Sequence, residues 1–595
     1  MCPNDIPDRL VHQWFGAHPT KDGSTRFCVF DDRCEQISIV LPESDREELL
    51  EKTAEGFHVG TIPGVSPGDT YWVKPSGGAR RPDPASRFQP DGVHGPSQVV
   101  DRDFGWTDNQ WQGVDRRDLV IYELHLGAFT QQGTYLAAID RLDELVGLGI
   151  TAIELMPLAA CPGGWNWGYD GVNLFAPSAN YGTPNELRQF VNAAHAKGVA
   201  VIVDVVYNHL GPEGNYLSEF GNYFSSRHQT PWGDAPNFDD KEASANIRRF
   251  AIANALMWLD EYHIDGLRVD AIHCIGDDSE IHIVKQMSDA IREFSAACGR
   301  RAILIAESNV YDPEMTQPRE NGGVGFDGQW CDDFVHSVFA VSQPGQHLCH
   351  REYKPTDLQQ TLQYGYVYQG TLREQRGRCQ PTQRVDTGGL IYCIQHHDFI
   401  GNHPTGKRLH QIAGNDFQMA AAALLFLSPA IPMMFMGEEF CCENPFQFFV
   451  DFGDENLRRA VVNGRKAEYP QHDWSSGRLP TDPETFRSSK IGSASEGNGD
   501  MRQWYQSLIA LRKAWVSSDL ICDSNIEIQV EQATDLYVIR YKNEAAFATV
   551  AVRLCQDADS EQMIGHGITG NQVLNSRRSV PADQIAPNHA IVFEA

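Results

Sequence analysis

From Leu119 onward the chain alternates between short apolar runs and longer amphipathic stretches. "LVIYELHLGAF", "ITAIELMPLA" and "VAVIVDVVYNH" are of strand type, and so are "GLRVDAIH", "RAILIAESN", "GLIYCIQHHD" and "IPMMFMGEE". Between them lie helix-type stretches with a 3.6-residue apolar period. "TYLAAIDRLDELVGLG" is predicted to set Leu136, Ile139, Leu142, Leu145 and Val146 on one helical face. "PNELRQFVNAAHAKG" opens with Pro and closes with Gly, the order a helix prefers. "ANIRRFAIANALMWLDEY", "SEIHIVKQMSDAIREFSAACG", "FQMAAAALLFLS" and "MRQWYQSLIALRKAW" continue the pattern. Strands apolar along their whole length must be covered on both faces, as in a parallel sheet under helices. The number of runs is close to eight. The expectation is an α/β chain whose residues 119–515 form a (β/α)8 TIM barrel rather than an open sheet.

A chain of 595 residues is too long for one core. The first ~95 residues carry short strand-like runs, "TRFCVF", "QISIVL", "FHVGTI" and "TYWVKP", and read as an N-terminal β-sandwich over 1–95. The Pro- and Gly-bearing "GGARRPDPASRFQPDGVHGPSQ" leads into a packed linker, placed at 96–118. From about Val516, "LYVIRYK" and "AFATVAVRL" return to strand type and predict a C-terminal β-domain over 516–595.

A formal net charge of −30 argues against nucleic acid or an anionic membrane as partner. No apolar run approaches the ~20 residues of a membrane span. "MCPNDIPDRLVHQWFG" has neither a basic leader nor an apolar signal core. The 14 cysteines are scattered apart from the adjacent Cys441 and Cys442, with no disulfide framework and no zinc-type spacing. Reduced thiols and a cytoplasmic location are expected; the oligomeric state stays open. Two nucleotide-like matches fail on context. "GVGFDG" from Gly323 follows a polar segment instead of a strand. In "GNHPTGKR" Arg408 stands where a Mg²⁺-binding hydroxyl belongs, and Pro404 removes an N–H from the cradle.

Residues 266–273, "GLRVDAIH", put Arg268 and Asp270 two apart, hence on one face of a strand. Buried charges persist only when paired or used. A barrel sets its working residues at the C-terminal ends of its strands. Read there, His209 follows the third strand, Asp270 ends the fourth and Glu307 the fifth, while Asp398 follows the seventh beside His396 and His397. Each has an ordinary structural explanation when taken alone: a strand ion pair, a loop cap, a core histidine. Three carboxylates at one mouth do not. Neighbouring carboxyls raise one another's pKa, so one keeps its proton while another is ionised. Two of them roughly 5–5.5 Å apart would serve retaining glycoside hydrolysis. Asp270, beside Arg268, is the expected nucleophile and Glu307 the expected proton donor. The chemistry requires no metal and no organic cofactor. "WNWGYD", residues 165–170, holds aromatics that could stack on sugar or pack the barrel rim equally well.

"DVVYNH", "GLRVDAIH", "AESN" and "QHHD" resemble, in order, the four short regions that mark the α-amylase superfamily. "RPDPASRFQPDGVHGPSQVV", "NWGYDGVNLFAP", "VVYNHLGPEGNYLSEFGNYF", "CDDFVHSV", "GYVYQG", "FMGEEF" and "NPFQFFVDF" extend the similarity over nearly the whole chain, toward the malto-oligosyltrehalose trehalohydrolase family. The resemblance implies Asp270 as nucleophile, Glu307 as proton donor and Asp398 as stabiliser of the transition state. It implies that His209, Arg268 and His397 hold the sugar at the cleavage point, with Tyr169 as stacking platform. His273, Asp332, Asp333, His336 and Asn402 would also contact substrate, and a short domain would be inserted after strand three. The implied partner is malto-oligosyltrehalose or a related α-glucan, cut at the α-1,4 bond next to the terminal trehalose. A glycogen debranching or branching enzyme is the alternative. A catalytically silent α-glucan-binding protein fits less well with an intact carboxylate trio. The family reads Gln-Asn-His-Asp-Gln and then Ile-Gly-Asn-Arg; here "QHHDFIGNH" introduces His396, Phe399 and His403, which bear on acceptor preference.

Overall fold

Eight short parallel strands close on themselves in the computed structural model, which describes residues 8–595 except 347, 348, 350, 533, 556–561 and 564–569. They are β1 (Ile121–Leu124), β2 (Ala152–Leu155), β3 (Ala200–Val205), β4 (Gly266–Val269), β5 (Ile303–Glu307), β6 (Gly328–Trp330), β7 (Leu390–Tyr392) and β8 (Ile431–Phe435). β8 pairs back to β1, so no edge is left open. The register places Glu123 beside Glu154 and Asp204 beside Arg268. At β4 the packing requires glycine: a Cβ on Gly266 would lie 2.4 Å from the Ile303 carbonyl oxygen. β6 is "GQW", three residues with no alternation to read, and the apolar pattern passes over it.

Helices follow from local signals. Pro184–Ala196 begins with a capping box in which Thr183 and Glu186 each bond the other's backbone N–H. Ile283–Cys298 ends at Gly299, whose φ of +75° closes the helix. One expectation is corrected. The stretch 135–148 is two short helices, Tyr135–Ile139 and Leu142–Leu148, and Leu136 and Val146 lie 42% and 39% exposed. Arg141 sits in the break, donating to the Phe129 carbonyl at 2.8 Å and to Glu144 at 2.8 Å. The second helix thereby starts a new face, with Leu142, Leu145 and Leu148 buried, while Tyr135 and Ala138 fill the core ahead of it.

The flanks are two β-modules. Ahead of the barrel, two four-stranded antiparallel sheets pack around Phe27, Ile39, Phe57 and Tyr71. Ser97–Gln98 completes the second sheet by pairing with Thr70 and Tyr71. The first seven residues lie outside the described ones. Behind the barrel, Ile526–Glu531, Leu536–Lys542, Phe547–Arg553, His589–Glu594 and Asn571–Asn575 form a five-stranded sheet. It is tied to the helix Asn415–Phe426 and its end, where Tyr541 donates to the Leu427 carbonyl at 2.7 Å. After β3 the chain makes a hairpin, Phe224–Thr230 with Gly233–Pro236. Arg227 anchors it to Asp239 at 3.0 Å and to Asp278 at 2.9 Å. No helix is long and apolar enough to cross a membrane among the described residues.

The N-terminal module is held to the barrel by a buried charge pair. Arg87 lies 3.1 Å from Glu261, with side chains 3% and 2% exposed, and Arg102 adds a contact at 3.3 Å. Burial pushes Glu261 up, but the two guanidinium groups outweigh it and hold the carboxyl down at about 2. Replacing Arg87 by Met should strand that carboxylate and destabilise the fold by about 3 kcal/mol. Thermal unfolding would register a lower Tm for Arg87→Met, with Glu261→Gln added in the same chain recovering part of the loss. Turnover per folded molecule at room temperature should not change.

Candidate active site

Arg268, on β4, points into the barrel with its side chain 1% exposed. Its Nη1 lies 2.7 Å from Asp204 Oδ2 on β3 and 2.7 Å from Asp270 Oδ1. Its Nη2 is 3.8 Å from Glu307 Oε2, and the guanidinium lies 4.6 Å from the centre of the Trp330 ring. Asp270 stands one residue past β4, its N–H still donating to the Val205 carbonyl at 3.0 Å. The second carboxylate oxygen accepts from Asn208 Nδ2 at 2.9 Å. Both oxygens of Asp270 are therefore held by donors. The next residue, Ala271, takes a left-handed conformation (φ 37°, ψ 53°), which costs a non-glycine residue energy and turns its N–H onto Glu307 Oε2 at 2.6 Å. Glu307 ends β5. Burial pushes its carboxyl up to about 8; Arg268 opposes this, while Asp270, Asp332 and Asp398 add to it. Asp398 follows β7 in the turn His397–Gly401, where Asn402 donates to its Oδ1 at 3.0 Å. Its side chain is 49% exposed, against 13% for Asp270 and for Glu307.

Around this trio the other expected residues gather. Tyr169 donates to Asp204 at 2.6 Å, lies 2.8 Å from His397 Nε2 and stacks on that imidazole at 5.3 Å. His397 is fully enclosed. Burial pulls its pKa down, but the Glu123 and Asp398 charges and a bond to Glu123 outweigh that and raise it to about 9. His209 Nε2 lies 3.0 Å from the Tyr169 carbonyl, and burial keeps its pKa low. His273 sits in the turn Ile272–Cys274, pushed down to about 4 by burial. Asp332, opening the helix Asp333–Ser342, is pushed up to about 7 by burial and by Asp398. A mouth with one carboxylate pinned by donors, a second kept protonated by burial and a third open to water is equipped for acid–base chemistry on a neutral polyol.

Comparison with known proteins agrees with this. Residues 98–237 match the model of the α-amylase catalytic domain. A malto-oligosyltrehalose trehalohydrolase of Saccharolobus solfataricus is 39% identical over 90% of this chain and 91% of its own length. That of Deinococcus radiodurans is 38% identical over 84% and 82%. The chain belongs to the malto-oligosyltrehalose trehalohydrolase family. Among solved structures, one from Salmonella typhimurium described as an α-amylase superposes with a TM-score of 0.87 at 31% identity, covering 98% of this chain and 99% of the other.

Within this trehalohydrolase-family fold two of the expected substrate contacts bond protein groups. Asp333 is 1% exposed; its Oδ1 accepts from Tyr353 at 2.7 Å and its Oδ2 from the N–H groups of Val367 at 2.6 Å and Tyr368 at 3.1 Å. A carboxylate that deep must collect donors, and this one pins the loop around 367. Asn402 likewise spends its amide on protein, donating to Asp398 and to Tyr469 at 3.0 Å and accepting from Arg465. His336 is buried and stacks on Tyr353 at 5.0 Å. Of the unusual residues, His396 caps the turn through Phe399 N–H at 3.4 Å, Phe399 packs edge-on against Phe339 at 5.5 Å, and His403 lies 2.8 Å from Thr405 Oγ1.

Asp204, Asn208, Glu123 and Arg465 were not singled out in the sequence, yet each bonds a site residue. Asp204 and Asn208 stand inside "DVVYNH", and Glu123 is a lone charge in an apolar run, the same signal that marks Arg268. Arg465 gives no such signal, lying on a helix far along the chain. Asp333→Asn should lower Tm, by about 1–3 kcal/mol in stability, because two backbone donors lose part of their acceptor. Its KM should shift less than that of Asp332→Asn, and steady-state kinetics on the two variants checks the ordering.

Proposed function

We propose that this chain is a retaining glycoside hydrolase that cleaves the α-1,4 bond between a malto-oligosaccharide and its terminal trehalose unit. The observation that carries the mechanism is the contrast between Asp270, gripped by Arg268 and Asn208, and Glu307, buried and raised to about 8. Glu307 gives its proton to the glycosidic oxygen while Asp270 attacks the anomeric carbon from the other face. The C–O bond to trehalose breaks, and a covalent glycosyl ester forms on Asp270. Glu307, now a carboxylate, takes a proton from water. That water displaces Asp270, so configuration is retained and malto-oligosaccharide leaves. Asp398, on the open side of the mouth, stabilises the positive charge that develops on the ring. His209, Arg268 and His397 position the ring, Tyr169 gives it a face to lie on, and Asp332 and His273 offer polar groups toward the trehalose side. The relatives' activity toward malto-oligosyltrehalose supports this choice over glycogen branching, and a branching enzyme of Pseudoalteromonas atlantica is more distant at 28% identity. A cytoplasmic site of action suits the described cysteines, all of them free.

Asp270→Asn should fold and lose turnover by about 10⁴-fold or more, since an amide cannot form the ester. Glu307→Gln should lose most on poor leaving groups, and azide should restore turnover of an activated aryl glycoside. Product analysis tests the substrate class. Trehalose-capped malto-oligosaccharide should be cut far faster than the linear oligomer of equal length, by up to about 10⁴-fold, with free trehalose as small product. Equal rates on the two, or new branches in glycogen, would remove the trehalohydrolase assignment.

The pH dependence has a definite sign. Glu307 works as an acid and must carry its proton, so kcat/KM should fall as pH rises through about 8. In Glu307→Gln this alkaline limb should vanish, which a pH–rate profile on an activated substrate can read.

A further inference from the structure

Glu123 lies in β1 with its side chain 2% exposed, and no step above uses it. A carboxylate that deep is costly unless fully engaged. Both of its oxygens go to a single residue: Oε1 bonds the His397 ring at Nδ1, and Oε2 accepts the His397 backbone N–H at 3.1 Å. Ring and main chain are fixed together from the opposite side of the closed barrel seam. The other ring nitrogen, Nε2, lies 2.8 Å from the Tyr169 hydroxyl and 3.7 Å from Asp398 Oδ1. Tyr169 donates onward to Asp204, which shares Arg268 with Asp270. Bonded groups thus run without a gap from β1 to the nucleophile.

We infer that Glu123 is a positioning residue for the reaction: by gripping His397 at ring and backbone, it keeps that histidine donating at both nitrogens, with Nδ1 spent on Glu123 and Nε2 aimed at Tyr169 and the sugar. The inference rests on the reading of His397 as a residue that touches the sugar.

The groups facing His397 support a charged ring. From β1 come Glu123 and His125, and from β2 comes Glu154. Tyr169, Asp204 and Arg268 face it from the neighbouring strand ends, and His396 and Asp398 from its own turn. Trp167 and Trp330 shut it in edge-on, at 5.3 and 6.0 Å. Burial holds His125 at about 4 and His396 well below its ordinary value, so both are neutral, and it holds Glu154 well above, so that acid is neutral too. Three further carboxyl groups, those of Glu123, Asp204 and Asp398, then face the ring or its partner Tyr169, against the guanidinium of Arg268. Their balance favours imidazolium. An imidazolium donates at both nitrogens, which neither neutral tautomer does.

The test compares wild type with Glu123→Gln, Glu123→Asp and His397→Gln, each as the full chain. Expected for Glu123→Gln is a kcat lower by roughly 10- to 100-fold with a smaller change in KM, as follows when a reacting group is misplaced or loses its charge. Its alkaline limb should move to lower pH. In ¹⁵N-histidine NMR at neutral pH the His397 signal should be that of imidazolium in wild type and of neutral imidazole in Glu123→Gln. Glu123→Asp, which keeps the charge, should recover part of both. A Glu123→Gln enzyme with wild-type kcat and pH profile overturns the inference, as does a loss that only tracks the folded fraction. His397→Gln separates this from the wider reading. If it too keeps wild-type rates, His397 does not touch the sugar and both fall; if it is impaired while Glu123→Gln is not, only the inference falls. Should Glu123→Gln fail to fold, the wild-type titration decides: a His397 ring that loses its proton below pH 7 overturns the inference.

Discussion

A guanidinium with 1% of its side chain exposed, inside a closed barrel, sets the terms for everything around it. Moving a cation from water into such a place costs several kcal/mol unless anions meet it at bonding distance. Arg268 is met from one side by Asp204 and from the other by Asp270, each at 2.7 Å. Asp204 supplies the neutralising charge from the next strand, which leaves Asp270 free to be both a partner and a reagent. The same cation lies 3.8 Å from Glu307, where it moderates the effect of burial. One buried charge thereby fixes the positions of two carboxylates at or just past the ends of neighbouring strands. The pair in "GLRVDAIH" is structural, and on the proposed mechanism chemical as well.

Much of this could be read from residue order, and the limits have physical reasons. Strands that are almost wholly apolar announce a barrel because burial on both faces leaves few polar positions; β3 and β5, with one acid each, are plain for that reason. β6 is three residues long, too short for any period to develop, and only pairing in space makes it a strand. The helix expected over 135–148 failed at Arg141, where a long side chain reaches back to the preceding turn, an event that periodicity does not register. The carboxylate trio was legible because its members stand at or after the C-terminal ends of strands. The direction in which a side chain turns was not. Asp332 and Asp333 are neighbours in sequence, yet one faces the site charges and the other is closed around backbone donors. Glu123 was readable by the rule applied to Arg268 and Asp270, that a charge in apolar surroundings must be paired or used, and shows how far that rule extends.

The flanking modules bear on the site through the segments that join them. The segment between the last two strands of the N-terminal module is buried over 82–89 and carries Arg87 into the ion pair with Glu261, at the end of the helix that precedes β4. Asp265, just before β4, accepts from Trp111 at 2.6 Å and pairs with His195 at 2.8 Å, tying the linker that follows beneath the barrel. The strand that presents Arg268 is thus braced from below by residues that precede the barrel in sequence.

The unequal exposure of the three carboxylates carries a further meaning. Asp398 stands half open to water, while Asp270 and Glu307 are shut in. The field of an exposed charge is damped by the solvent around it, and that damping ends only when something displaces the solvent. A sugar ring seated in the mouth is what would do so. The electrostatic strength of the site is then a property of the filled pocket and not of the protein alone, so a ligand that covers Asp398 poorly meets a weaker catalyst even when it binds. Selection among glucans would in that case be exercised through the rate of bond breaking as well as through affinity, and water entering an empty mouth would meet the site in its least active state.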